Sequence, residues 1–133
     1  MKVAELMRTD LKVIDPDTTI EDVVITLADG HISALPVVDP RGRLIGVVST
    51  TDILQAEADC QSSTERDRLF EHTTVREIMT PRPCTVMPDA EVREAALQML
   101  YLQIHRVFVE DEGKLVGVLS QSDVVRAVAT AKI

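Results

Sequence analysis

The sequence GVVSTTD at residues 46–52 decides the fold, because a close variant, GVLSQSD, returns at residues 117–123. Both copies keep glycine, valine, serine and aspartate at the same spacing, between a β-like run and a helical run. This pattern is typical of a strand that enters a helix through a polar corner, with serine as N-cap and aspartate in the first turn. The glycine allows another chain segment to approach closely. Such a corner can hold an anion or simply cap its helix, and the sequence leaves both interpretations open.

The corner belongs to a repeat that covers most of the chain. A shift of 72 residues pairs Val3 with Val75 and Met7 with Met79. From Gly42 onward the shift is 71, because the turn at 39–42 is one residue longer than its partner. Between positions 42 and 52, six of eleven residues are identical to their partners, which indicates an internal duplication.

Each half predicts the same series of elements. A short helical turn is followed by an extended segment, an amphipathic helix, two β-rich runs joined by a turn with Asp and Gly, and a helix after the corner. Gly30 suits the end of the first amphipathic helix, whereas Leu102 at the equivalent position predicts a different ending for the second. The order β-α-β-β-α, twice, predicts an α+β fold. The predicted strands are 34–38, 44–48, 107–109 and 115–119.

Composition narrows the possible functions. The 133 residues carry a net charge of −8 and only 2% aromatic residues, which disfavours nucleic-acid binding and anionic membranes. No apolar run is long enough for a membrane span and no signal peptide is recognised, so a cytoplasmic protein is expected. Cys60 and Cys84 lie far apart without metal-ligand spacing, which predicts free thiols. No metal site and no arrangement of nucleophile, base and acid is recognisable, so an enzyme is not expected.

The polar segment between the halves sets the expected domain boundaries. We expect a first domain at 1–58, a linker at 59–73 and a second domain at 74–133. The stretch 61–64 is the predicted mobile part of the linker. The charged cluster 65–68 is predicted to be a solvated face.

The duplicated unit, with ALPVVD at 34–39 ahead of its closing strand and Gly-x-x-Ser-x-x-Asp after it, resembles the cystathionine beta-synthase (CBS) domain family. The resemblance covers about 3–53 and 75–125. It implies two tandem CBS-type repeats packed as a pseudo-two-fold pair. It also implies two clefts between the repeats, where many members bind adenosine nucleotides or other adenosyl compounds.

The resemblance also implies roles for particular residues. The aspartate of each corner would accept hydrogen bonds from the ribose hydroxyls, and the serine would donate to phosphate. An apolar slot beside each corner would hold the base, and a His-Arg pair would face the phosphates. One cleft would be formed by Ser120 and Asp123 with Met7, Ser33, Ala34 and Pro36, and the other by Ser49 and Asp52 with Met79 and Val107; the His-Arg pair is His105 and Arg106.

Plainer interpretations stand beside these roles. Each Ser-x-x-Asp can be an ordinary capping box, His105 can be a surface histidine, and Met7 and Met79 are expected to serve packing. Ser33 and Ala34 stand where the second half has His105 and Arg106, so the two clefts are expected to differ. The Asp123 cleft is expected to be the better adenosine site.

Two functions follow as hypotheses. The first is a stand-alone regulatory module that binds AMP, ADP, ATP or S-adenosylmethionine as a regulatory ligand, requires no cofactor, forms a homodimer and signals to an unknown partner. The second is a ligand-free dimerisation or protein-interaction module. A response to adenosyl ligands separates them.

Overall fold

The computed structural model describes residues 1–130 and contains seven helices and six strands there. The last three residues of the predicted second domain, 131–133, lie outside the described residues. The helices are α1 Val3–Leu6, α2 Ile20–Gly30, α3 Thr50–Ala58, α4 Ser63–His72, α5 Val75–Ile78, α6 Val92–Leu102 and α7 Gln121–Ala129. The strands are β1 Ala34–Val38, β2 Leu44–Ser49, β3 Thr80–Pro81, β4 Thr85–Val86, β5 Arg106–Asp111 and β6 Lys114–Ser120. The predicted mixture of helices and strands in two similar halves is confirmed.

The chain forms two compact units, each named here after the aspartate of its corner. The Asp52 unit is Lys12–Arg82, and the Asp123 unit joins Met1–Leu11 to the chain from Pro83 onward. The units therefore do not follow the repeat. The short helix that opens each repeat, α1 or α5, is called its entry helix here. The Asp123 unit contains α1, from the first repeat, and the Asp52 unit contains α5, from the second.

The Asp52 unit is built on a three-stranded antiparallel sheet in the order β1-β2-β3. The turn between β1 and β2 contains Gly42 at φ +83°, a conformation that favours glycine. Helix α2 buries the predicted apolar face against the sheet. Its core consists of Ile14, Val23, Leu27, Leu35, Val37, Val48 and Val75.

The Asp123 unit has a sheet in the order β4-β5-β6, in which β4 runs parallel to β5 and β6 antiparallel to it. Helix α6 packs its apolar face on this sheet, as its spacing predicts. The core consists of Val3, Ala95, Met99, Val107, Val109 and Leu119.

The entry helices are held by backbone hydrogen bonds as well as by apolar packing. Val3 is fully buried, and its N–H donates to the carbonyl of Ala90 at 2.8 Å. The repeat-related Val75 is also fully buried, and its N–H donates to the carbonyl of Thr18 at 2.8 Å. Val3 and Val75, which are equivalent in the repeat, thus complete the apolar core of the two units in the same way.

Three details differ from the sequence-based expectations. The polar segment 59–73 contains helix α4, capped by the Ser62 side chain and anchored by the buried Leu69, although 61–64 was predicted to be mobile. The short strand β3 pairs with β2 and was not predicted. Both amphipathic helices end in the same way, on the left-handed residues His31 and Gln103, so the different ending predicted from Leu102 is wrong.

Two other expectations, on the exposure of the cluster 65–68 and on the thiols, agree with the structure. The cluster 65–68 is solvent-exposed. Cys60 and Cys84 are free thiols, and burial is the main cause that raises the pKa of each. Within residues 1–130, no helix has the length and apolar character needed to span a bilayer.

Candidate functional site

The Asp52 corner lies where β2 enters α3. The Ser49 N–H donates to Oδ2 of Asp52 at 2.9 Å, and the Asp52 N–H donates to the Ser49 hydroxyl at 3.2 Å. This reciprocal pair is a complete capping box. The other carboxylate oxygen, Oδ1, accepts from the Thr80 hydroxyl at 3.1 Å. Asp52 is partly exposed, so its carboxylate can be reached from solvent.

The Asp123 corner has the same cap in a different electrostatic setting. The Ser120 N–H donates to Oδ2 of Asp123 at 2.9 Å, and the Asp123 N–H donates to the Ser120 hydroxyl at 3.2 Å. Oδ1 accepts from Nε of Arg8 at 3.1 Å and from Nη1 of Arg126 at 3.2 Å. The Asp123 side chain is only 3% exposed.

The charge of Asp123 is stabilised by these neighbours. Burial by itself raises the pKa of the Asp123 carboxyl, but hydrogen bonds from Ser120 and the guanidinium of Arg8 outweigh that effect. The pKa therefore lies below its ordinary value. The carboxylate stays ionised at neutral pH and offers only acceptor oxygens.

The glycine of each corner strand permits the close approach that the sequence predicts. A Cβ atom at Gly117 would lie 2.5 Å from Sδ of Met7 and 3.1 Å from the carbonyl oxygen of Arg8. At Gly46, Met79 takes the place of Met7. Both methionines pack against the cores of their own units, so their expected packing role is confirmed.

The remaining predicted site residues divide between the units. In the Asp52 unit, Ala34 pairs with Ser49, the Ser33 carbonyl accepts from the Thr50 N–H at 2.9 Å, and Pro36 is buried within β1. These residues therefore adjoin the Asp52 corner.

In the Asp123 unit, Arg106 pairs with Ser120, and the His105 carbonyl accepts from the Gln121 N–H at 2.9 Å. Val107 is fully buried in the core. Burial lowers the pKa of the half-buried Arg106 guanidinium. The association of the Asp123 corner with Ser33, Ala34 and Pro36, and of the Asp52 corner with Val107, stays a prediction.

Sequence reasoning missed three residues that contact the aspartates. Arg8 and Thr80 each follow the methionine of an entry segment, at equivalent positions of the repeat, and both reach Oδ1 of an aspartate. Arg126 lies three residues after Asp123 on α7, a spacing that brings helical side chains together. That spacing is visible in the sequence. The contacts of Arg8 and Thr80 depend on which strand the entry segment joins, and no local pattern reveals this.

A shallow depression lies elsewhere on the Asp123 unit and shares no residue with the corner. It is lined in part by Lys2, Met87 and Glu91. Nζ of Lys2 lies 2.8 Å from Oε1 of Glu91, so these two charges already satisfy one another. This depression is not the candidate site.

The fold and the two corners define a protein with a tandem pair of similar units. The model of the CBS domain matches residues 3–59 and 75–130, and the chain belongs to the CBS domain family. The resemblance inferred from the sequence is confirmed.

Among the relatives is the chloroplastic CBS domain-containing protein CBSX2 of Arabidopsis thaliana, which is 31% identical over 94% of this chain. A second, CBSX1 of the same plant, is 28% identical over 98% of this chain. The chain spans 61% of the length of the first and 65% of the second.

Solved structures of CBS pairs are similar in fold. The crystal structure of CBSX2 in complex with AMP covers 99% of this chain and 98% of its own, with a TM-score of 0.84 and 31% identity. The CBS domain pair of protein MJ0100, in complex with 5′-methylthioadenosine and S-adenosyl-L-methionine, covers 98% of each chain, with a TM-score of 0.82 and 25% identity.

Proposed function

We propose that this chain is a regulatory module that binds adenosyl ligands at its two polar corners and passes the bound state to another protein. The single observation that carries the proposal is the presence of a carboxylate in the first turn of α3 and of α7, each bound to its own cap through Oδ2. In the part of the chain that the structure describes, the other oxygen of each carboxylate, Oδ1, accepts from side chains. Those side chains can move, so Oδ1 can release Thr80 at the Asp52 corner, or Arg126 at the Asp123 corner, and accept a ribose hydroxyl instead.

Relatives support the ligand class. CBSX2 has been crystallised with AMP, and the MJ0100 pair with 5′-methylthioadenosine and S-adenosylmethionine. All three ligands carry an adenosyl group, so the shared chemistry is a purine and a ribose diol. The remainder of the ligand is proposed to contact Ser49 and Ser120, together with His105 and Arg106. The base is proposed to lie beside Met7, Met79, Ser33, Ala34, Pro36 and Val107.

The expected affinity suits a sensor. A ligand of about 20 heavy atoms at roughly 0.3 kcal/mol per atom binds with about 6 kcal/mol, which corresponds to a dissociation constant of tens of micromolar. At about 100 times that constant, the ligand adds roughly 2.7 kcal/mol to the free energy of unfolding. The midpoint of thermal unfolding is then expected to rise by about 10 °C.

The test is a thermal melt with AMP, ADP, ATP and S-adenosylmethionine, on the wild type and on Asp52→Asn and Asp123→Asn. Asparagine keeps an acceptor for the cap but presents an N–H₂ group, which opposes a ribose hydroxyl. Each single variant is expected to reduce the ligand-induced rise, and the double variant to abolish it.

Asp29→Asn, at the exposed end of α2, is the matched control and is expected to respond as the wild type does. A wild type that responds to none of the four ligands would remove the proposal, and so would an unchanged response in the double variant. The first result leaves the ligand-free interaction module as the function.

We further propose that the chain forms a homodimer through α6 and α7 of the Asp123 unit. These two helices contact one another and expose large apolar side chains, with Tyr101 90% exposed. A second copy would cover this apolar surface. The exposed residues are Leu97, Leu100, Tyr101, Leu102, Val125 and Val128.

Tyr101→Glu is expected to convert the dimer to a monomer, because a carboxylate in the apolar interface would lose its hydration. Sedimentation velocity measures the change. Met87→Glu, which replaces another exposed apolar side chain outside both helices, is expected to stay dimeric. A monomeric wild type, or a dimeric Tyr101→Glu variant, contradicts the proposed interface.

A further inference from the structure

The two corners have the same capping geometry but differ in the charge of the side chains that contact the aspartate. Oδ1 of Asp123 meets two guanidinium groups, from Arg8 and Arg126. Oδ1 of Asp52 meets a neutral hydroxyl from Thr80. Asp123 therefore takes part in two ion pairs, whereas the described contacts of the Asp52 carboxylate are with its own cap and with Thr80.

Comparison of the two repeats shows that the difference in charge between the corners comes from two pairs of equivalent positions. Thr80 is the equivalent of Arg8, and Gln55 is the equivalent of Arg126. Two guanidinium groups therefore contact the carboxylate in the first turn of α7, whereas the hydroxyl of Thr80 contacts the carboxylate in the first turn of α3. The caps of the two helices are otherwise the same.

Arg8 has capacity to bind more than Asp123. Its bond to Asp123 uses Nε, and its side chain is 57% exposed. A guanidinium has five N–H donors, and the bond to Asp123 uses one of them. Two parallel N–H donors match the spacing of phosphate oxygens.

We propose that the corners divide adenosyl ligands by charge: the Asp123 corner takes those that carry phosphate, and the Asp52 corner takes those that carry none. Arg8 is the residue that sets the preference. At the Asp123 corner, the guanidinium bridges the carboxylate that binds the ribose and the phosphate attached to that ribose. At the Asp52 corner, a carboxylate whose Oδ1 is bound by the neutral hydroxyl of Thr80 repels phosphate but accepts a neutral or cationic 5′ substituent. This inference rests on the proposed function.

The experiment isolates each corner and then exchanges the deciding residue. Asp52→Asn leaves only the Asp123 corner competent, and Asp123→Asn leaves only the Asp52 corner. Calorimetric titration with AMP and with 5′-methylthioadenosine gives the affinity ratio of the two ligands at each corner. AMP is expected to bind about tenfold more tightly than 5′-methylthioadenosine at the Asp123 corner, and the order is expected to reverse at the Asp52 corner.

Swapping the equivalent residues tests the role of Arg8 directly. In the Asp52→Asn background, Arg8→Thr is expected to weaken AMP about tenfold and to leave 5′-methylthioadenosine within about twofold. In the Asp123→Asn background, Thr80→Arg is expected to strengthen AMP. Arg8→Lys, which keeps the charge, is expected to retain part of the AMP preference and shows whether the fold tolerates a change at this position.

The possible failures are distinguishable. If neither AMP nor 5′-methylthioadenosine binds the wild type, the division by charge is overturned. If the four ligands of the thermal melt also give no response, the proposed function fails with it. If both bind but their ratio is the same at the two corners, or is unmoved by Arg8→Thr, the proposed function stands and the division by charge is overturned.

Discussion

Val3→Asp is expected to destabilise the Asp123 unit, which holds most of the second repeat, although Val3 belongs to the first repeat. Val3 is fully buried in the core of the Asp123 unit, among residues that follow position 90. An ionised carboxylate there has no partner, and burying such a group typically costs more than about 4 kcal/mol. That loss is a large part of the stability of an ordinary domain.

Native-state amide hydrogen exchange measures where the loss falls. The amides of β5 and β6 are expected to lose more protection than those of β1 and β2. Val75→Asp is the matched variant, because Val75 is equally buried but belongs to the core of the Asp52 unit. It is expected to give the opposite pattern. Equal loss in both sheets for both variants would show that the two units do not open separately.

Gly117→Ala is expected to destabilise the protein by about 2 kcal/mol, and Met7→Ala is expected to relieve part of that loss. The added methyl group would stand 2.5 Å from Sδ of Met7, so the methionine has to leave its place against the core. Shortening Met7 opens space for the methyl group. Relief is incomplete because the carbonyl oxygen of Arg8, 3.1 Å away, is backbone and cannot be removed.

A double-mutant cycle measured by urea unfolding quantifies the relief. The double variant is expected to be at least about 1 kcal/mol more stable than the sum of the two single changes predicts. Gly113→Ala is the control, because Gly113 has a φ of +81° and open space around it. It loses stability through backbone strain and is expected to show no coupling to Met7. Strict additivity at Gly117 would contradict the proposed contact.

Much of the fold follows from local sequence. The periodicity from Ile20 and from Val92 places both amphipathic helices, the Asp-Gly turns place both hairpins, and Ser49 and Ser120 are the caps that their position predicts. Each of these signals depends on residues a few positions apart. The family resemblance rests on the same short patterns.

What the sequence does not reveal depends on distant contacts. The sequence of helix α4 resembles a polar linker because Leu69 is the one buried residue of this helix. To predict the exchange of entry helices, one would have to know that Val3 packs beside Ala95 of the second repeat and not in the core of its own repeat. The contact between Arg8 and Asp123 follows from that exchange, because Arg8 is carried to the corner by the segment that contains Val3.

The exchanged entry helices also bear on how such a protein could have arisen. A single repeat would lack the segment that completes its own core and would have to obtain it from another molecule, at a rate and extent set by protein concentration. Joining two repeats in one gene turns that encounter into an intramolecular one, with an effective concentration in the millimolar range. Duplication would then have linked covalently two ancestral chains that, as separate molecules, associated only at high protein concentration.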